Sequence, residues 1–498
     1  MSPVAQVIAM LAMVALSYLS LTAFGPRRPT LGFTSEEKKS WDRLVRSRVG
    51  TYFTITAAVG VFVGLANPFI FFVGASKAFG LAIFICCITI AASAPFTNWV
   101  TKKLTSEARI AVLLAHPEQT GAVVASLFWT PDNSGRVPVA RIVKWFSLVN
   151  IAALTWLEFT VFGEIARRLL GLTSHSAAVV AMATACAIVV FFTLQYGIRG
   201  FVFIDAVQSP VMLLGIIVLL AGSLFLVISG NHVTNAGDFI RMIAAPGAGP
   251  FAALVFVVHV IVLNVFQVAL TEPHWLRMWS FRDKEISKQQ TSVTAAAVVW
   301  LLLIAMGFCV FIVTGRMGDE AFPELLRKLD SVSPAFVTLF WLAAVSAMFS
   351  TADAQVYSFV LVSSFDYKKG SLSPFTVTRS FALKRALVTA VVLGTVYYLT
   401  LHFSLPVTKV LFVCIPFSLN LLPAFLAKAL DRRPSTALLL LSAVLYCAVA
   451  LWGLSQPSDK FDGTLMAAFV PALISTLVWL PAYKQATGSP GPPPRRRK

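Results

Sequence analysis

Charge is what this chain has least of. Only 12% of its 498 residues are Asp, Glu, Lys or Arg, where a soluble domain carries about a quarter. The deficit is filled by apolar residues, which make up 57% of the sequence. They recur in blocks close to the roughly 20 residues that an α-helix needs to cross a bilayer. The blocks are too long and too continuously apolar for the alternating strands of a membrane barrel. Helices are the remaining way to satisfy backbone polar groups in lipid, so the expected fold class is all-α and transmembrane.

Other shortages exclude further classes. The six histidines are scattered, which argues against a structural metal site. All six cysteines lie inside apolar blocks, so no loop holds a pair for a disulfide framework. Buried thiols of that kind behave as small hydrophobes. There is no glycine-rich phosphate loop and no serine–histidine–acid constellation, so neither an ATP-driven pump nor an enzyme is expected, and no cofactor. The formal charge of +18 could suggest nucleic acid, but its distribution points to membrane topology instead, and no nucleic-acid partner is expected.

Thirteen spans can be read, at about 4–23, 50–75, 78–98, 140–166, 176–197, 202–229, 250–275, 289–314, 335–364, 383–402, 405–428, 435–456 and 463–483. The first lacks a basic n-region and is followed by Arg27, Arg28, Lys38, Lys39, Arg43, Arg46 and Arg48, the pattern of a retained span rather than a signal peptide. An odd count puts the N-terminus outside and the C-terminus in the cytoplasm. With that assignment 31 of the 40 Lys and Arg fall in cytoplasmic segments and 9 in external ones, as the positive-inside rule requires. The expected location is the plasma (cytoplasmic) membrane. Residues 484–498 form a Pro-rich basic tail suited to anionic lipid, and residues 108–114 suit a short interfacial helix.

Polar groups inside spans are the functional candidates, because a charge costs about 2.5–3.5 kcal/mol in the bilayer centre on insertion scales. The second span carries Gly60, Gly64 and Asn67-Pro68, and the seventh carries Asn264, Gln267, Thr271 and Glu272-Pro273. Each combines polar side chains with a helix-breaking proline. Two interrupted helices five spans apart are a pointer to a transporter site; the plain alternative is close packing at glycines and a helix end at Pro273. The ninth span holds Ser346, Ser350, Thr351, Asp353 and Gln355, where the two adjacent hydroxyls followed by an acid place several oxygen ligands within about one and a half turns. Its plain alternative is hydroxyls bonded back to carbonyls one turn earlier. Glu158 in the fourth span has three open roles: lining a solute path, carrying a proton, or a structural pairing.

Two stretches resemble the sodium/solute symporter family. Thr193, Gly197, Asp205 and Gln208 match its signature in register, with Tyr196 and Ile204 departing from it. Ser346–Gln355 is similar to its Ser-Thr-Ala-Asp-Ser-Gln motif, with Ala354 as the one departure. Arg277, Ser287 and Lys288 resemble the basic stretch after its broken sixth core helix, where Leu276 replaces a glutamine. Ala66, Phe69, Gly74 and Gly80-Leu81 fit its first core helix more loosely.

That resemblance implies an inverted-repeat core of five plus five helices with two discontinuous helices. The first repeat would be residues 50–229 and the second 250–428. An N-terminal span with its basic loop (1–49), two extra spans (435–483) and the tail (484–498) would flank them. It implies sodium as coupling ion, held by the Ser350 and Thr351 hydroxyls, the Ala347 carbonyl and carbonyls near Val61 and Gly64, with Asp205 close by. A small polar solute would sit near Asn67, Asn264 and Gln267, with Glu158 along its path. Glu272 stands where the family has a neutral glutamine, which leaves open proton coupling or a solute with a positive group. The expected protein is a sodium-coupled symporter working as a monomeric unit; a proton-coupled or uncoupled carrier and a transporter-like sensor are the rivals.

Overall fold

The computed structural model describes residues 71–104, 138–169, 174–230, 236–275, 286–317, 321–366, 371–372, 378–405, 407–430 and 435–455. It also describes isolated positions in 52–64 and at 124, 128, 470, 471 and 474. Among them ten helices are long and apolar enough to cross a membrane, and they fall on the third to twelfth expected spans. The expected first span, most of the thirteenth, the tail and the 108–114 helix lie outside the described residues.

The elements in chain order are α1 (Phe71–Phe79), α2 (Ile85–Leu104), α3 (Pro138–Leu169), α4 (His175–Gly197), α5 (Val202–Ser229), α6 (Ala236–Ala244) and α7 (Pro250–Leu270). They continue as α8 (Ile286–Thr314), α9 (Ala321–Val332), α10 (Pro334–Ser364), α11 (Arg379–His402), α12 (Val407–Cys414), α13 (Leu422–Ala429) and α14 (Thr436–Ser455). A two-residue antiparallel pairing of β1 (Phe365–Asp366) with β2 (Ser371–Leu372) follows α10. The all-helical expectation therefore holds. The short helices α6 and α9, which the apolar blocks did not reveal, are amphipathic and lie in connections.

Two boundaries differ from the expectation. The second span does not run unbroken to residue 75: its helix stops at Val63 and Gly64, and α1 continues to Phe79. A short 3-10 turn, Gly80–Phe84, then joins α1 to α2. Between α4 and α5 the chain reverses at Gly197, with φ 59° and ψ −153°, a conformation open to glycine at no steric cost.

The core is built around α10, whose middle is buried on every side from Ala343 to Ser358. It packs on α3, α5 and α9. The helix starts on Ser333, whose side chain accepts from the Ala335 amide, and has Pro334 at its first turn, the arrangement that uses orphan donors best. At the far end of α1 the chain is held by Lys77. Its ammonium donates to the carbonyls of Met242 and, at 2.9 Å, Ala245, capping the C-terminal end of α6. The Gly247 and Ala248 amides donate to the Lys77 and Ala78 carbonyls, both at 2.9 Å.

Lys77 therefore fixes the helix that continues beyond the break. Lys77→Met, which keeps the stem and removes the donors, should lower the melting temperature of the detergent-purified protein, since about 1–3 kcal/mol attends groups left unsatisfied. An unchanged melting curve would contradict the anchoring role.

Candidate ion and solute site

A helix that stops inside a bundle leaves carbonyls without partners, and the site is built from how those carbonyls are met. Before the first break, the Val59 carbonyl accepts from the Val63 amide at 2.8 Å. The Gly60 carbonyl accepts from Thr351 Oγ1 at 2.9 Å. The Phe62 carbonyl accepts from Trp300 Nε1 at 2.7 Å. The broken segment is thus tied to α10 and α8 through its own exposed backbone.

The second break is at Thr271, whose φ −112° and ψ 126° are extended. A helical turn resumes at 272–275. There too an indole serves a carbonyl: Trp275 Nε1 donates to Ala269 at 2.6 Å. Thr271 Oγ1 donates back to Gln267 at 2.7 Å. The second discontinuity falls at Thr271, one residue before the Glu272-Pro273 step; the first helix stops at Val63 and Gly64, and the Asn67-Pro68 step lies outside the described residues.

The hydroxyls of α10 divide into two kinds. Ser346 donates back to Leu342 at 2.7 Å, so the plain packing explanation applies to it. Ser350 and Thr351 reach across instead, Ser350 to Asp205 Oδ1 on α5 and Thr351 to Gly60. The same α5 segment also holds the helix before the break. Tyr52 donates its hydroxyl to the Ala206 carbonyl at 2.6 Å, and Ser209 donates to the Thr56 carbonyl at 2.8 Å. Three helices are therefore joined through two buried oxygen pairs on adjacent residues of α10: the Thr351 hydroxyl with the Gly60 carbonyl, and the Ser350 hydroxyl with the Asp205 carboxylate. Asp205 is fully buried and Ser350 nearly so. A carboxylate, hydroxyls and a backbone carbonyl form the donor set that hard cations prefer.

Gly64 lies against Thr351. A Cβ at this position would meet Glu158 Oε1 at less than contact distance and lie 3.0 Å from Thr351 Oγ1. Absence of a side chain is therefore what lets the Glu158 carboxylate, 4% exposed, reach the break. Glu158, Gly64, Thr351 and Gln355 share a cavity of about 50 Å³ with Gln267, Thr271 and His274. Phe62 and His274 stack across its wall with ring centroids 4.6 Å apart.

The expected residues are partly brought together. Ser350 is paired with Asp205, Gly64 lies against Thr351 and Glu158, and Glu158 and Gln267 line one cavity. Ala347 is fully buried one turn before Ser350. Asn264 lies apart: its amide donates to Cys86 at 3.3 Å and Thr89 at 3.0 Å, and it lines a second cavity of about 30 Å³ across Trp300. Glu272 does not line the main cavity; its Oε2 accepts from the Val124 amide at 2.8 Å. Val61 and Asn67 lie outside the described residues, as do Leu276 and Arg277.

Sequence reasoning singled out Gly60 only as a helix-weakening glycine, and it missed Trp300, Tyr52 and His274. The signal was available for Trp300, because an indole N–H in mid-span needs an acceptor, and a broken helix is where spare carbonyls occur. Gly60, as a backbone acceptor, leaves no side-chain signal.

No protein-family model and no curated protein matches the chain. Solved structures do. A Na+-coupled sialic acid symporter, in a substrate-bound outward-open state with a novel Na+-site, aligns over 97% of this chain and 98% of its own. The TM-score is 0.65 and the identity 12%. A mutant of the manganese transporter of Eremococcus coleocola aligns over 93% of this chain and 99% of its own, with TM-score 0.51 and identity 13%. The chain thus shares the fold of these two solved structures.

Trp300→Phe should destabilise the protein, because the Phe62 carbonyl is left buried and unmet at about 1–3 kcal/mol. Trp452→Phe on the exposed face of α14 should not. Equal melting temperatures for the two variants would contradict the role given to Trp300.

Proposed function

We propose that the protein is a secondary active transporter that couples sodium to the movement of a small polar organic solute by alternating access. The observation that carries this reading is the direction of the Ser350 and Thr351 hydroxyls. They leave their own helix and join Asp205 and the carbonyl of a broken helix. Those pairs supply oxygen ligands beside the cavity where both interrupted helices end, as a shared site for ion and solute requires.

Sodium is assigned to Ser350 and Thr351, with the Ala347 carbonyl, the carbonyls of the first break, at Gly60 and on to Gly64, and Asp205 close by. Its binding would tie the broken segment to α10 and complete the cavity, so the ion favours the state that holds solute. The membrane potential adds about 2.3 kcal/mol per charge per 100 mV to that inward step. The repeats 50–229 and 250–428 are the units that would rock against each other. The chain would be a multi-pass plasma membrane protein acting as a monomeric unit, its N-terminus outside and its C-terminus in the cytoplasm.

The solute does not follow from the fold. One neighbour of this fold carries sialic acid with sodium and another manganese. A proton-coupled carrier is the second reading, favoured by the burial of Glu158 in the cavity.

Sodium chloride should raise the melting temperature of the purified protein above that in potassium or choline chloride. In the Ser350→Ala, Thr351→Ala double variant the sodium concentration needed should rise by on the order of a hundredfold, tenfold for each 1.4 kcal/mol lost. A double variant with unchanged sodium response would sink the ion assignment.

A further inference from the structure

A third span is interrupted, and its interruption is held from outside the proposed repeats. Between α12 and α13 the chain runs as a 3-10 segment, Ile415–Leu421, with Pro416 in its first turn. A 3-10 turn gives each N–H to the carbonyl three residues back, and Pro416 has no N–H to give. The carbonyl that loses this partner is that of Val413. Tyr446 on α14 meets it, donating its hydroxyl to the Val413 carbonyl. The same helix serves the segment again one turn earlier. Ser442 donates to Asn420 Oδ1 at 2.8 Å, and Asn420 Nδ2 donates to the Phe417 carbonyl at 3.0 Å. Ser442 and Tyr446, four residues apart, share one face of α14. Both are buried, as is Asn420. The Phe417 ring packs edge-on against Tyr446, with centroids 5.5 Å apart.

What α14 holds is a wall of both cavities. Ile415 lines the main cavity and the second one, and Leu411, Phe412 and Pro416 line the second. The Phe412 ring meets Phe71 of α1 edge-on at 5.8 Å and His259 of α7 at 6.1 Å between centroids. A shift of the Ile415–Pro416 step would therefore change the space on both sides of Trp300 at once. The side chains assigned to the ion sit on α5 and α10, whereas α14 packs on the 3-10 segment, α3 and α13.

We propose that Tyr446 is a positioning residue for the solute site: from α14 it fixes the Ile415–Pro416 step, and with it the closure of both cavities. This deepens the transporter reading and rests on it for the statement that solute meets this wall. Without the hydroxyl the Val413 carbonyl loses a buried donor, which is costly in an apolar interior. The 3-10 segment then loosens, and the second cavity opens more often.

The reporter is Cys86, a buried thiol that lines the second cavity. The full-length protein carries Cys87→Ala, so that one thiol is read at that step. The probe is methyl methanethiosulfonate, which adds only a methylthio group. Modification of Cys86 is timed by peptide mass spectrometry in sodium chloride and in potassium chloride. Tyr446→Phe, which keeps the ring, should speed it about tenfold, the factor that 1.4 kcal/mol makes in an opening equilibrium, and keep the melting response to sodium. Ser442→Ala should act in the same direction, and serves if Tyr446→Phe does not fold. Leu439→Ala removes a fully buried side chain from the same helix and spares both hydroxyls. It should lower the melting temperature and leave the Cys86 rate unchanged.

An unchanged Cys86 rate in both Tyr446→Phe and Ser442→Ala would overturn the proposal. So would an equal acceleration by Leu439→Ala, which would reduce Tyr446 to general support of the fold. Loss of the sodium response in a folded Tyr446→Phe protein would overturn it as well, by placing Tyr446 with the ion site. Absence of any sodium response in the unmodified protein would sink the symport reading, while the hold of Tyr446 on the wall is still read in potassium.

Discussion

Carbonyls freed where a helix stops inside a membrane bundle have no water to turn to, and the interior of this protein is arranged around meeting them. At the first break the Gly60 carbonyl goes to Thr351 and the Phe62 carbonyl to Trp300. At the second, Ala269 goes to Trp275. An unmet backbone group in lipid costs several kcal/mol, so the first two contacts fix where α10 and α8 pass the first break, and the third closes the second break on itself. The same exposed backbone is what gives a small ion or solute something to bind. Structural need and chemical opportunity thus have one source.

On the proposed function, that constraint would place the ion and solute sites side by side. Thr351 joins the first break to α10 and is also a wall of the cavity. Ser350, one residue earlier, reaches Asp205 on α5, and α5 in turn holds the helix before the break through Tyr52 and Ser209. A cation placed among these oxygens would strengthen three helix contacts at once. The cavity next door would feel that through Gly64, where the missing side chain lets Glu158 approach. Coupling between ion and solute would then need no long pathway, because the two sites share residues.

Much of this was legible in the sequence, and the limits have physical causes. Long apolar blocks revealed the spans, since lipid imposes a length and a composition on them. The second break was readable from Glu272-Pro273, because proline removes a donor wherever it stands, and the first helix stops within a few residues of the glycines singled out in the second span. Ser350 and Thr351 were ambiguous: a hydroxyl in a helix can bond back to its own turn, as Ser346 does, and only the three-dimensional partner separates the cases. Glu272 looked the more unusual acid because it departs from a motif, but its carboxylate accepts from the backbone amide of Val124, far away in sequence. Asn264 and Gln267, three residues apart, share a helix face, yet Asn264 lines one cavity and Gln267 another, with Trp300 lining both. Contacts made by backbone atoms, such as those of Gly60 and Phe62, leave no trace in side-chain identity.

Sodium coupling is the central claim, and transport itself tests it most directly. The protein would be reconstituted in proteoliposomes with the solute that stabilises it most in sodium, and uptake followed under separately imposed sodium and proton gradients. An inward sodium gradient alone should drive accumulation above equilibrium, and a proton gradient in sodium-free buffer should not. Accumulation driven by protons without sodium would contradict the account.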